Sequence, residues 1–226
     1  VFVNGRQILK AGSPIPEDAT ILVNAEVPKF VCRAGLKLEK ALKVFDLTVT
    51  GKRALDSGLS TGGFTDCLLK AGAASVVGVD VGYGQVAQAI RIDPRVRVME
   101  RTNLRRLRRS DLPFEDGGLV DIVTLDLSFI SLLKVLEAVD NVLSPVGDII
   151  ALVKPQFEAG KANVAAGGVV KDPEVREATV QAVIEGFRAA GFVCLGTVES
   201  PIRGATAGNI EYLCHFKRRK AEQGDV

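Results

Sequence analysis

Tryptophan is absent from this chain, histidine and methionine occur once each (His215, Met99), and the four cysteines form no CxxC pair. A lone histidine leaves too few ligands for a zinc site and no base for a serine–histidine triad, so no metal is expected. His215 alternates with apolar neighbours and reads as a structural strand residue. Cys32, Cys67, Cys194 and Cys214 read as free thiols in a reducing compartment rather than a disulfide framework. No apolar run approaches the roughly 20 residues of a membrane-spanning helix. The longest, within Asp148–Lys154, has the length of a strand. The first residues lack the charged and then apolar pattern of a signal peptide. They also lack a methionine, which reads as a piece of a longer protein.

With 47% apolar and 25% charged residues, the 226-residue chain has the composition of a globular α/β domain with a small appendage. Net charge is only +2, yet it is clustered. Five arginines fall within Arg101–Arg109, Lys217–Lys220 closes the last apolar segment, and Arg33, Lys37, Lys40 and Lys43 sit together near the start. Any one cluster suits a solvated face; three on a nearly neutral protein point to a polyanion-facing surface.

Residues 1–26 read as short strands, with a hairpin turn at Asn4-Gly5 and a second strand over Ala19–Val23. They are too few to build a core, and Val27-Pro28-Lys29 reads as a linker. Beyond Phe30, helix and strand patterns alternate. Helices are expected over Leu36–Val44, Thr65–Ala71 and Ile130–Val142, and from the Asp172-Pro173 start signal to Ala190. Strands are expected over Arg53–Asp56, Ser75–Val79, Arg95–Val98, Val120–Leu125, Ile149–Val153, Phe192–Val198 and Tyr212–Phe216. Such alternation implies a mainly parallel sheet covered by helices, with ligands beyond the carboxyl ends of its strands. Asp56, Asp80, Asp126 and Lys154 all fall at those ends.

The turn Asp56–Thr65 carries Gly58, Gly62 and Gly63. Its spacing is neither GxGxxG nor a P-loop, which counts against a dinucleotide or a triphosphate. Asp56 suits a cationic amino-acid moiety, directly or through water, and Asp80 is placed to accept the hydroxyls of a ribose. The turn reads as a nucleoside-cofactor site.

Several segments then point one way: Arg33–Glu39 (RAGLKLE), Leu55–Asp66, Gly78–Gly84, Glu100–Asn103, Leu125–Ser131 (LDLSFIS), Leu152–Glu158 (LVKPQFE) and Gly208–Leu213 (GNIEYL). From Phe30 to Phe216 the chain resembles the haemolysin A-like (TlyA) family of ribosomal RNA 2′-O-methyltransferases, with an FtsJ-like domain over residues 30–217. The resemblance implies a Rossmann-like class I α/β fold. Its seven-stranded, mainly parallel sheet would carry helices on both faces and an antiparallel last strand. It also implies S-adenosylmethionine as cofactor, ribosomal RNA or a ribosomal subunit as partner, and a cytoplasmic location or an organelle matrix. Residues 1–29 resemble the end of an S4-like RNA-binding domain plus a linker, and 218–226 form a basic, polar tail.

On this resemblance a catalytic tetrad falls on Lys37, Asp126, Lys154 and Glu211. The cofactor falls on Asp56, Gly58, Ser60, Gly62, Gly63, Phe64, Thr65, Asp80, Tyr83, Thr102, Asn103 and Asp126. RNA phosphates fall to Arg33, Arg105, Arg106, Arg108 and Arg109. Cys32 and Ala34 stand where the family leads one to expect serine and glycine. A ribose hydroxyl is weakly acidic, so positioning and proton removal are the protein's tasks. Lys154 is the central group, either as a base or as a stabiliser of the alkoxide. Asp126 is expected to orient Lys154 and face the cofactor, and Glu211 to orient Lys37 or Lys154. Competing readings are a non-catalytic RNA-binding protein on the same fold, a membrane-acting haemolysin and a nicotinamide-dependent enzyme.

Overall fold

A computed structural model describes residues 1–219 except 11, 25–27 and 205–206. Part of the expected linker and most of the basic tail therefore lie outside the described residues. Two sheets are present. The first is a small antiparallel one of β1 (Phe2–Val3), β2 (Arg6–Gln7) and β3 (Ile21–Leu22), with β1 in the middle. Asn4 and Gly5 join β1 to β2 with positive φ of 47° and 78°, the conformation that the Asn-Gly pair favours.

The main sheet contains β4 (Arg53–Ser57), β5 (Ser75–Val79), β6 (Val96–Met99), β7 (Val120–Leu125), β8 (Leu143–Val153), β9 (Phe192–Glu199) and β10 (Tyr212–Arg218). Their order is β6-β5-β4-β7-β8-β10-β9, parallel except for β10, which runs antiparallel to both neighbours. The chain winds outward from β4 through β5 to β6, then crosses back to β7 on the other side of β4. The crevice between the ends of β4 and β7 is thus the point where strand order reverses, the usual ligand position in open α/β sheets.

Helices cover both faces. On one, α1 (Gly35–Val44), α2 (Gly63–Lys70) and the short α3 (Gln88–Arg91) bury Leu38, Ala41, Phe64, Leu68 and Ile90 against Ala54, Val76, Ile122, Ile150 and Leu213. On the other, α4 (Leu136–Val142) and α6 (Pro173–Ala189) bury Val139, Val183 and Phe187 against Leu55, Val123, Ile149 and Phe216. Between them on the chain lies α5 (Pro155–Glu158). Alternate residues of each strand feed opposite cores, which is why Ile149–Val153 reads as an unbroken apolar run. His215 is structural: its Nε2 lies 2.8 Å from buried Asp148 Oδ1, and its ring packs beside Phe45.

Several element bounds differ from expectation. The helix expected from Ile130 begins with one tight turn at Leu132–Val135, and residues 126–131 stay in a loop in which Phe129 has φ of +64°. β8 starts six residues early, at Leu143, because its first part pairs Val120 before a register shift. The arginine-rich run forms two short turns, Leu104–Arg106 and Arg109–Asp111, whose Leu104 and Leu107 plug into the core. α3 carried too short a pattern to be anticipated.

Candidate functional site

Two cavities lie at the carboxyl ends of the parallel strands and share a wall. The first, about 400 Å³, is lined by Gly58, Ser60, Asp80, Gly82, Gln85, Thr102, Asn103 and the Asp126–Ile130 loop. The second, about 560 Å³, is lined by Lys37, Lys154, Glu211, Asn209, Gln156, Phe157 and the small residues Gly167, Gly168, Gly204 and Ala207. Asp126, Ser128 and Phe129 line both.

Local rules build the first cavity. Gly58 has φ of +89°, and a Cβ there would sit 2.3 Å from the Asp126 carbonyl oxygen. Only glycine allows the β4 turn to pass so close to the end of β7. Asp126 N–H in turn donates to Ser57 O at 2.9 Å, fixing the two strand ends. Asp80 ends β5, and its two carboxylate oxygens accept the N–H groups of Ser60 and Gly82 at 2.7 Å each. That arrangement points the carboxylate along the cavity wall.

The second cavity is built from two ion pairs. Lys154 follows β8, and Pro155 opens α5 directly after it, ending the strand with its lysine beside Asp126. Its Nζ lies 2.7 Å from Asp126 Oδ1 and donates to Ser128 Oγ at 2.9 Å. Lys37 rides the first turn of α1, whose buried Leu38 and Ala41 face the sheet and so aim it inward. Its Nζ donates to Glu211 Oε2 at 2.5 Å, with the side chains only 9% and 2% exposed. Glu211 therefore partners Lys37 and not Lys154, which decides between the two orientations left open by the sequence.

The four tetrad residues thus meet around one cavity, in two pairs from four elements. Gly58, Ser60, Asp80, Thr102, Asn103 and Asp126 line the neighbouring one. Other expected cofactor residues do not. Asp56 is completely buried; its oxygens accept the hydroxyls of Thr65 (2.7 Å) and Thr124 (3.0 Å), and burial pushes its pKa up to about 6 despite them. The expectation of direct ligand contact is corrected: Asp56 braces the turn from behind because its side chain points into the protein. Phe64 and Thr65 are likewise buried, in α2. Gly62 and Gly63 give way to packing, since a Cβ on Gly62 would meet Ile90 at 2.9 Å and one on Gly63 would meet Cys32 Sγ at 2.5 Å. Tyr83 is 66% exposed, with the Arg101 guanidinium 4.3 Å from its ring, and lines neither cavity.

Arg33 reaches the lysine-lined cavity. Arg105, Arg106, Arg108 and Arg109 are exposed and line neither cavity; Arg109 Nε donates to Gly117 O at 2.6 Å, just ahead of β7 and away from the carboxyl ends of the strands. Cys32 and Ala34 both pack on Gly63, and Ala34 has φ of −58°, ψ of −31°, a conformation that needs no glycine. Sequence reasoning missed Ser128, Phe129, Gln156, Phe157 and Asn209, although all stand inside the motifs that singled out the tetrad. Gly82, within the Gly78–Gly84 motif, was missed as well, and Gln85 directly follows that motif and carried no comparable signal. Among the described residues no group of histidine, cysteine and acidic side chains is arranged to hold a metal ion, and no helix is long and apolar enough to cross a membrane.

Two adjoining cavities, one walled by Asp80 and one by two lysine–carboxylate pairs, thus open at the strand-order reversal of an α/β sheet with the Rossmann-like class I arrangement. The chain belongs to the FtsJ-like methyltransferase family, whose model matches residues 30–218. It is 46% identical over 214 residues to the 16S/23S rRNA (cytidine-2′-O)-methyltransferase TlyA of Mycobacterium tuberculosis, covering 94% of this chain and 78% of that protein. Hemolysin A of Brachyspira hyodysenteriae is 40% identical over 96% of this chain and 88% of its own length. A solved structure of a hemolysin-like protein from Streptococcus thermophilus superimposes with a TM-score of 0.84 at 40% identity, covering 99% of this chain and 79% of that one. The protein is a methyltransferase.

Proposed function

We propose that this protein transfers the methyl group of S-adenosylmethionine to a ribose 2′-hydroxyl of ribosomal RNA. One observation carries the reading: Asp126 and Ser128 line both cavities, and Lys154 Nζ, 2.7 Å from Asp126, stands where the two meet. The first cavity suits the donor. Gly58 lets the β4 turn close against the Asp126 carbonyl to form the cavity wall, Asp80 offers a carboxylate to ribose hydroxyls, and Thr102 and Asn103 close the far end. When bound, S-adenosylmethionine supplies an electrophilic methyl on a sulfonium.

The chain's own residues do the rest. The Lys154 ammonium, held between Asp126 and Ser128, binds the acceptor oxygen and stabilises the charge on it while the methyl carbon passes from sulfur to oxygen, leaving a neutral thioether; the hydroxyl proton is released to solvent at the cavity mouth. Lys37 places an ammonium on the opposite wall, its charge balanced by Glu211. Both pairs are shielded from water, so their fields act with little screening. Phe129 is 91% exposed at the rim, and its ring lies 5.1 Å from that of Phe157. Such a rim suits stacking of the splayed base that a 2′-hydroxyl in this cavity requires. Arg33 and the exposed arginines of 105–109 would meet phosphates. Residues 1–29 are read as the end of an S4-like RNA-binding domain with its linker, and the protein as cytoplasmic.

Lys154→Ala tests the assignment. The variant should lose methyl transfer to ribosomal RNA, measured by ribose-methylation mapping, while binding S-adenosylmethionine like the native protein. Near-native turnover would refute it. Despite the name of Hemolysin A among the relatives, no observation favours a membrane-acting reading: among the described residues no helix is long and apolar enough to cross a membrane.

A further inference from the structure

We propose that Glu158 is a positioning residue for the transfer: its hydrogen bond to Leu132 holds the Asp126–Ser131 loop against Lys154. The inference rests on the reading above, in which that loop is the wall between donor and acceptor.

The loop is anchored at two ends. At its start Asp126 N–H donates to Ser57 O at 2.9 Å. At its end Leu132 N–H donates to Glu158 Oε1 at 2.8 Å, and Leu133 N–H donates to Ser131 Oγ at 3.2 Å. These acceptors satisfy the first N–H groups of the turn that leads into α4, groups that a helix start leaves without partners. A carboxylate there is also favoured by the turn's dipole. Between the anchors lies Phe129, exposed and at φ of +64°. A bulky residue keeps that conformation only where its surroundings impose it.

Glu158 sits four residues after Lys154, at the other end of α5. The segment Lys154–Glu158 therefore grips the loop twice, through Lys154 on Asp126 and Ser128 and through Glu158 on Leu132. The Phe129–Phe157 contact lies between the two grips. Loss of the second would loosen the loop's far end and let Ser128 and Phe129 shift relative to Lys154. Burial raises the Glu158 pKa, so the carboxylate has given up hydration for this contact. A carboxamide would accept the same bond without that penalty.

Three variants of the full chain test this: Glu158→Ala, Glu158→Asp (one methylene short) and Glu158→Gln (same reach, no charge). Turnover on ribosomal RNA should fall about tenfold or more in the first two, the scale of a modest misplacement of reacting groups. Glu158→Gln should restore it. Affinity for S-adenosylmethionine should fall less than turnover, since the loop is one wall of that cavity while Gly58, Ser60, Asp80 and Gln85 come from elements that Glu158 does not touch. The chain has no tryptophan, so Phe129→Trp supplies a single emitter on the loop. Its fluorescence anisotropy should drop with Glu158→Ala and not with Glu158→Gln. Native turnover or unchanged anisotropy in Glu158→Ala overturns the proposal. So does damage in Glu158→Gln equal to that in Glu158→Ala, or a parallel loss of turnover and cofactor affinity. Absence of methyl transfer by the native protein would instead overturn the functional reading, and the anisotropy comparison would still decide the role of Glu158.

Discussion

The Lys37–Glu211 pair separates what this site does for stability from what it does for chemistry. The two groups are 2.5 Å apart with 9% and 2% of their side chains exposed. Replacing Lys37 by Met leaves the Glu211 carboxylate buried without its cation, a change that costs about 3–5 kcal/mol. For a chain of this size that is a fall in Tm of roughly 6–20 °C. Glu211→Leu should cost a similar amount by stranding the lysine. The double variant Lys37→Met/Glu211→Leu removes both charges, and with them the desolvation penalty, so it should be far more stable than the sum of the singles. A buried ion pair replaced by apolar groups of similar volume is often neutral or stabilising. Urea unfolding of all four proteins measures the coupling, which should exceed about 2 kcal/mol. The double variant should nonetheless transfer no methyl groups. Single variants that each lose under about 1 kcal/mol would show that the pair is not buried and formed in solution. An active double variant would show that it plays no part in the reaction.

Two further outcomes follow from the same geometry. The Asp56 carboxyl is held near pKa 6, against an ordinary 3.8, chiefly by burial. A folded-state pKa above the unfolded one means that ionisation at neutral pH works against folding, by roughly 3 kcal/mol for a shift of this size. Asp56→Asn, which can keep both threonine contacts, should therefore unfold at higher urea than the native protein at pH 7–8, and the gain should vanish as pH falls from about 6 to below 4; a gain that persists at pH 3 would contradict the linkage. Phe129→Ala should raise the KM for ribosomal RNA about tenfold, in keeping with ~1–3 kcal/mol for one base stacked on an aromatic ring. Calorimetric affinity for S-adenosylmethionine should stay close to native, and an unchanged KM would remove Phe129 from the acceptor site.

The fold was legible because its signals are local. Alternating strand and helix periods, the Asp172-Pro173 helix start, and acids and a lysine at strand ends together imply a parallel sheet with a site at one edge. The site was legible only in part. Lys37, Asp126, Lys154 and Glu211 lie in distinctive motifs, but their division into two ion pairs depends on which strand lies beside which. That β10 inserts between β8 and β9 is what delivers Glu211 toward α1. Asp56 misled for a related reason. Its position at the end of β4 is that of a ligand-facing acid, yet strand alternation turns its side chain inward, toward Thr65 and Thr124. Ser128 and Phe129 were overlooked because they fall between the strand expected to end at Leu125 and the helix expected from Ile130, where no period marks which side chains face a cavity.

Phe129 shows why that pattern was overridden. A helix continued back through Phe129 would turn its ring along the helix surface and withdraw Ser128 from Lys154. The observed loop instead gives up a turn of helix and accepts a left-handed phenylalanine, a conformation of order 1–3 kcal/mol less favourable for such a residue. Both departures expose the groups that face the two cavities. Local propensity and global fold disagree here at the segment that would touch both substrates, and elsewhere in the sheet they agree. The buried lysine pairs belong to the same class, since leucines would fill their places at less cost. The left-handed Phe129 and the two buried lysine–carboxylate pairs stand together beside the two cavities, which is the physical reason for proposing the chemistry there.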